Sequence, residues 1–425
     1  MYQKTVLKNG IRVVTEQLPH LRSASMGVWI ASGSRNEPVT LAGASHFLEH
    51  LIFKGTEKLS AKEIAEKVDA VGGQLNAYTG KEHTCFHMKV LDTHLPLAFS
   101  ILGEMLLRPK LAQEDVKKER EVILEEVSMY EDAPDELAHD LHIEQTWKDH
   151  PLGHNILGTR ETLGFMRAGR LRTYYEEQYT PERMVIAAAG NVEHQAVVAL
   201  AQEYFGDLQR PAKVQEKVPP VFCRHTCLKE KEGEQLHVFL SFPGISYRHP
   251  DLYCQHLLSQ VLGGGVSSRL FQRIREEKGL AYSVYSSGSS YSDTGLLSIY
   301  ASTRPANLAE VWHLTKDIVQ EMAQKGLNEI ELQRAKEQLK GAIFLGLESS
   351  GSRMSRLGRL EISLGRHVPL EEVLTKIEAV TVEKMKENAA AWLDWRQSSL
   401  MVLGPLQGIE DTAFLYADRS GEEMT

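Results

Sequence analysis

The segment His46-Phe47-Leu48-Glu49-His50 places two imidazoles and a carboxylate at positions i, i+4 and i+3. On an α-helix successive residues turn by about 100°, so these three side chains share one face. Two imidazoles one turn apart can hold a single divalent metal ion, and the carboxylate between them can work on a water activated by it. That is the chemistry of a zinc hydrolase. A catalytic zinc usually takes three protein ligands, so a third donor is needed. A long helix over residues 113–132, stopped before Pro134, offers Glu119, Glu121, Glu125 and Glu126. Val116, Ile123, Val127 and Tyr130 mark its apolar face. Glu119 and Glu126 point toward that face, seven residues apart and nearly in register, whereas Glu125 turns toward solvent. Carboxylates on a buried face are costly unless something positive meets them. Glu126 is therefore the expected third ligand, and Glu119 the carboxylate that orients a histidine or a bound water. The bland alternative is a Glu-rich helix with both acids in solvent.

The elements that must position these groups are legible in outline. Asn9-Gly10 between Thr5-Val6-Leu7 and Ile11-Arg12-Val13-Val14 reads as a hairpin turn. Residues 26–30 read as a strand, 41–53 and 61–71 as helices, 74–78 and 84–90 as strands, and 184–189 as an apolar strand. A Pro- and Lys-containing stretch, 211–220, is the expected linker. Beyond it come strands near 237–241, 282–286 and 297–301, a helix near 251–262, and long helices. Laying Ser45–His50 over Gln255–Gln260 pairs Glu49 with Ser259, His50 with Gln260, and Glu126 with Ala342. The expectation is a metal-binding domain at 1–210 and a homologous metal-free domain at 221–425. Chance similarity between amphipathic helices is the alternative for that pair.

Size and composition fit this division. A chain of 425 residues exceeds one core, and 42% apolar with 25% charged residues is typical of a globular protein. A net charge of −9 argues against a nucleic-acid partner. No apolar run reaches the ~18 residues of a membrane span, and the N-terminus reads as a strand rather than a signal peptide. Four cysteines in so long a chain suggest a reducing compartment, and the expected location is cytoplasmic. Cys223 and Cys227 lie on a strand-like stretch without a second Cys/His pair, so a metal role is disfavoured. His83 and His87 read as strand neighbours, and His139 and His142 as surface residues of a helix. The tail from Gly408 reads as loose.

His-x-x-Glu-His is the inverted zincin motif. Here it is followed, 76 residues after His50, by Glu126 inside Glu119-Arg120-Glu121-Val122-Ile123-Leu124-Glu125-Glu126. In this the chain resembles the insulinase/pitrilysin family of zinc peptidases, and within it the branch of mitochondrial processing peptidase β-subunits and their bacterial relatives. Gly72-Gly73-Gln74-Leu75-Asn76-Ala77-Tyr78-Thr79 resembles that family's active-site edge strand, with Asn76 and Ala77 against the scissile region. Arg275-Glu276-Glu277-Lys278-Gly279-Leu280-Ala281-Tyr282 resembles the segment supplying a substrate-contacting arginine, Arg275, and an oxyanion-stabilising tyrosine, Tyr282. The glycines at 263–265 resemble a family loop and lack the Lys-Ser/Thr ending of a phosphate cradle.

The resemblance implies an α+β fold: two homologous α/β-sandwich domains, each an antiparallel-rich mixed sheet covered by helices, enclosing a cleft. It also implies one Zn2+ per chain on His46, His50 and Glu126, Glu49 as general base, extended or unfolded peptides as substrates, and a homodimer. A non-catalytic scaffold subunit of the same fold is the competing reading. Cleavage of S-ribosylhomocysteine, by shorter enzymes with an inverted motif, is disfavoured by the length of this chain.

Overall fold

A computed structural model describes the chain except for residues 212–217, 408, 410, 411 and 417–425. Most of the expected linker and much of the tail therefore lie outside the described residues, although Ala413–Leu415 forms a helical turn with Leu415 buried. The chain divides into two compact units. The first holds Met1–Ser128, His154–Lys217 and Phe344–Val368; the second holds Met129–Gly153, Val218–Ile343 and Pro369–Thr425. The contiguous domains 1–210 and 221–425 need correction on this point. Residues 129–153 and 344–368 each belong with the other half's sheet, and local periodicity cannot reveal which sheet a helix will cover.

In chain order the elements of the first half are β1 (Tyr2–Val6), β2 (Arg12–Gln17), β3 (Ser23–Ile30), α1 (Ala44–Ile52), α2 (Ala61–Asp69), β4 (Gln74–Thr79), β5 (Thr84–Leu91), α3 (Leu95–Leu107), α4 (Gln113–Asp132), α5 (Pro134–Thr146), α6 (Arg160–Phe165), α7 (Ala168–Gln178), β6 (Met184–Gly190) and α8 (His194–Phe205). The first sheet runs β1-β2-β6-β3-β5-β4. Only β2 and β6 pair in parallel. The central strand, Met-Val-Ile-Ala-Ala-Ala-Gly, is buried throughout, as a strand covered on both faces must be. One sheet face packs on α1, α3 and α8 through Met26, Val28, Phe47, Phe86, Phe99 and Ile186.

The second half supplies β7 (Thr226–Glu230), β8 (Leu236–Gly244), α9 (Leu252–Gly263), β9 (Ala281–Ser290), β10 (Gly295–Thr303), α10 (Leu308–Lys325), α11 (Glu329–Leu345), α12 (Ser350–Leu364), α13 (Leu370–Glu378), α14 (Val382–Trp392) and β11 (Ser399–Gly404). Its sheet runs β7-β11-β8-β10-β9, again with a single parallel pair, β7 with β11. Apart from the extra strand β1, order and pairing sense match the first sheet strand for strand. α9 packs on the last strand of its sheet as α1 does on β4. None of the helices described is long and apolar enough to cross a membrane.

The other face of each sheet is covered by a helix from the opposite half of the sequence. α12 lies on β2, β3 and β6, with Met354 and Leu357 against Val14, Trp29 and Val185. Gly358 permits this approach: a Cβ there would sit 2.1 Å from the Trp29 indole nitrogen. Glu361, fully buried on the same helix, is met by Lys4 at 2.7 Å and Arg12 at 3.6 Å. In the second unit α5 covers β8 and β11, with Ala138 against Phe239 and Met401. There His142 is fully buried and bonds Ser241 Oγ at 2.7 Å, which corrects its expected place on the surface. Local periodicity marks a helix but not the sheet that buries its inner face.

Candidate active site

α1 begins at Gly43, whose φ of +95° and whose close approach to the Leu157 carbonyl exclude a side chain. The helix is shorter than the expected 41–53, because residues 39–41 form a separate 3-10 turn ahead of that glycine. No Ser, Thr or Asp caps it. Instead the buried Glu37 carboxylate accepts the Gly43 N–H at 2.7 Å and the Ser45 N–H at 2.6 Å, satisfying donors that the first turn leaves free. Burial pushes the Glu37 pKa up to about 8, against the opposing pull of those amides. Phe47, Leu48 and Leu51 anchor α1 in the core and turn the remaining face, with His46, Glu49 and His50, toward α4 and β4.

On that face His46, His50 and Glu126 each offer a ligand atom, all within 4.8 Å of one another. Glu126 Oε2 is 3.7 Å from His46 Nε2 and 3.8 Å from His50 Nε2. Tetrahedral ligation with bonds of 2.0–2.1 Å separates donor atoms by about 3.3 Å, so a small inward movement suffices. Two observations show that the residues fit a divalent cation. Glu126 Oε2 is buried without a hydrogen-bond partner among the described residues, although it faces both imidazoles. Burial, reinforced by His50, lowers the His46 pKa to about 4, so its ring is neutral near pH 7, as a ligand must be.

Glu119 is almost fully buried, one oxygen 3.2 Å from His50 Nδ1 and the other 2.7 Å from Lys54 Nζ. It thereby leaves His50 Nε2 for the cluster. The positive group opposite Glu119 is Lys54. His46 Nδ1, by contrast, is buried with no hydrogen-bond partner among the described residues. On α4, Val116, Ile123 and Val127 are buried and Glu125 is exposed. Tyr130, expected on the apolar face, is 40% exposed, because it lies past Ser128, where the first unit's share of the helix ends.

Glu49 extends between α1 and the edge strand β4, where the Thr79 hydroxyl donates to its Oε2 at 2.6 Å. Burial raises the Glu49 pKa, while Thr79 and His50 pull it down. Strand alternation puts Leu75, Ala77 and Thr79 on the face toward α1, and Asn76 and Tyr78 on the other. Asn76 accepts the Ala77 N–H on its own Oδ1 at 2.8 Å.

Arg275 and Tyr282 lie in the second unit. The Arg275 guanidinium sits 4.8 Å from the Phe271 ring centroid and 5.4 Å from that of Tyr282. Tyr282 is 77% exposed near the start of β9, an edge strand. In the second sheet's counterpart of α1, Ser259 bonds Ser286 at 3.2 Å, and Gln260 bonds Gln338 at 3.1 Å. Those positions are filled by hydrogen bonds among neutral groups. His46, His50 and Glu126 form the one His/Cys/Asp/Glu group with metal-site spacing among the described residues. Cys223 precedes β7 and Cys227 lies within it, both as free thiols. His83 corrects its expected strand placement: it precedes β5 and packs its ring 5.2 Å from Trp29.

Glu37, Lys54 and Thr79 were missed in the sequence. Only Thr79 left a signal there, two residues beyond Ala77 and hence on the same strand face.

Comparison with known proteins agrees with this geometry. Residues 12–160 match the sequence pattern of the Insulinase family (Peptidase family M16), and residues 166–339 match that of the Peptidase M16 inactive domain. A protein of Mycobacterium tuberculosis described as an uncharacterized zinc protease is 44% identical over 95% of this chain and 93% of its own. An uncharacterized zinc protease of Bacillus subtilis is 43% identical over 91% and 94%. Among solved structures, a peptidase M16 inactive domain from Pseudomonas fluorescens superposes with a TM-score of 0.90 at 20% identity, covering 95% of this chain and 98% of that one. A protease from Helicobacter pylori superposes with a TM-score of 0.86 at 22% identity, covering 95% and 100%. With the inverted motif, the spaced glutamate and both halves of the fold in place, the chain belongs to the insulinase family of peptidases, family M16.

Proposed function

We propose that this chain is a zinc-dependent endopeptidase that hydrolyses extended or unfolded peptides. The observation that carries the reading is the convergence of His46, His50 and Glu126 beside Glu49, all next to an edge strand. Relatives described as zinc proteases support zinc as the metal. A zinc ion held by His46, His50 and Glu126 would supply Lewis-acid polarisation of the attacking water and of the scissile carbonyl. Glu49 takes a proton from that water and returns it to the leaving amine. Glu119, fixed by Lys54, keeps His50 in the tautomer that presents Nε2. The edge of β4 offers Ala77 and its neighbours as a backbone template for an extended peptide, which reads main chain rather than sequence. Arg275 and Tyr282 belong to the proposal as groups that contact substrate and steady the oxyanion.

The test is digestion of a mixed peptide library, read by mass spectrometry, with and without a zinc chelator. Cleavage that the chelator abolishes and added zinc restores is the expected result. No cleavage by zinc-loaded protein would favour the scaffold reading, towards which the inactive-domain match of residues 166–339 leans.

A further inference from the structure

The residue that joins the peptide edge to the proton-transferring carboxylate is Thr79. Its side chain and its main chain face different partners. The hydroxyl donates to Glu49 Oε2 at 2.6 Å. The main chain is placed by the pairing of β4 with β5, in which Thr79 lies opposite Thr84 and Ala77 opposite Phe86. At the neighbouring position the Gly80 N–H donates to the His83 carbonyl at 2.8 Å, which makes 80/83 a hydrogen-bonded pair. Antiparallel pairs alternate, so 79/84 and 77/86 are non-bonded pairs, and the N–H and C=O groups of Thr79 and Ala77 point to the open edge. The Ala77 N–H agrees: it bonds the Asn76 side chain instead of β5. An extended peptide added to this edge would pair with the same residue whose hydroxyl holds Glu49.

We propose that Thr79 is a positioning residue for Glu49. It occupies Oε2 and leaves Oε1 directed at the water that attacks a peptide lying along β4. An ionised carboxylate has no hydrogen to give, so the threonine hydroxyl is the donor. A β-branched residue on a strand has a stiff χ1, so this donor has little freedom to wander. The proposal rests on the reading of Glu49 as general base.

The test compares Thr79→Val, which keeps the shape and removes the donor, with Thr79→Ser, which restores it, in the full chain loaded with zinc. A hydrogen bond to a charged group is worth roughly a 10- to 100-fold effect. The valine variant should lose kcat by about that factor while KM, zinc content and melting temperature stay at wild-type values. The serine variant should recover most of the loss. Crystal structures should show the Glu49 carboxylate turned away from its wild-type orientation in the valine variant alone. Undiminished kcat, an unmoved carboxylate, or a loss of zinc or stability that serine fails to repair overturns the proposal. Glu49→Gln in the same assay separates the two readings. If it keeps turnover, the general-base reading fails. If it is inactive while Thr79→Val is fully active, only the role of Thr79 falls. Zinc-loaded wild-type protein without peptide turnover overturns both.

Discussion

Glu49 shares one helical turn with two imidazoles and differs from them in what it touches. The imidazoles face Glu126, and Glu49 faces Thr79. Replacing it by glutamine should leave zinc content unchanged and lower peptide turnover by roughly 100- to 10,000-fold. Zinc analysis alongside hydrolysis rates checks this, and a rate near wild type refutes it. Lys54→Met acts one step further out. It leaves the buried Glu119 without its cation and loosens the hold on His50, so zinc affinity should fall by about 10- to 100-fold in a chelator competition. Unchanged affinity would mean that Glu119 orients His50 unaided. The cluster itself was legible because each part obeys helix periodicity: His46, Glu49 and His50 within one segment, Glu126 within another. Lys54 and Glu37 were not, because their roles depend on which elements approach in space, and Thr79 showed only its place on the same strand face as Ala77.

The element that carries the imidazoles depends on one buried acid. Glu37 replaces an ordinary cap by receiving two amides at the start of α1. Its folded-state pKa of about 8 lies above the ordinary glutamate value, so the folded chain keeps a proton that the unfolded chain has released. The resulting stabilisation is complete below about pH 4.5 and disappears as pH rises through about 8. Glu37→Gln, which does not titrate and offers only one acceptor oxygen, should melt below wild type at pH 5, with the gap narrowing toward pH 9. Thermal unfolding of both proteins across that range checks the sign. A gap that widens with pH would show that Glu37 is ionised in the fold. The strands and helices around this site were readable from period and turn residues. The cap was not, because Glu37 stands eight residues before the second amide it accepts, across a 3-10 turn that has no regular spacing.

For the molecule as a whole, the exchange of α5 and α12 matters most. The repeat was visible in the sequence as faint similarity, and the matching strand orders of the two sheets now carry it. The exchange was hidden, because an amphipathic helix records that it covers a sheet and not which one. Residues 1–210 expressed alone would leave Val14, Trp29, Val185, Ala187 and Ala189 without Met354 and Leu357 above them. At ~1.5–3 kcal/mol per large apolar side chain, that exposure should make the fragment aggregate or melt far below the intact chain. Co-expression with residues 221–425 should restore solubility, read by size-exclusion chromatography. A soluble, cooperatively folding 1–210 fragment would contradict the helix assignment. Gly358→Val offers a gentler version within the intact chain. Crowding the Trp29 indole should lower stability by about 1–3 kcal/mol in denaturant unfolding.

The same crossover sets a timetable during synthesis. β6 leaves the ribosome about 160 residues ahead of α12, a wait of roughly 10–30 s at ordinary elongation rates. Throughout that interval the nascent first sheet has one greasy side bare. A cell making this protein must shelter that side, by a chaperone or by pausing, until the late helix arrives.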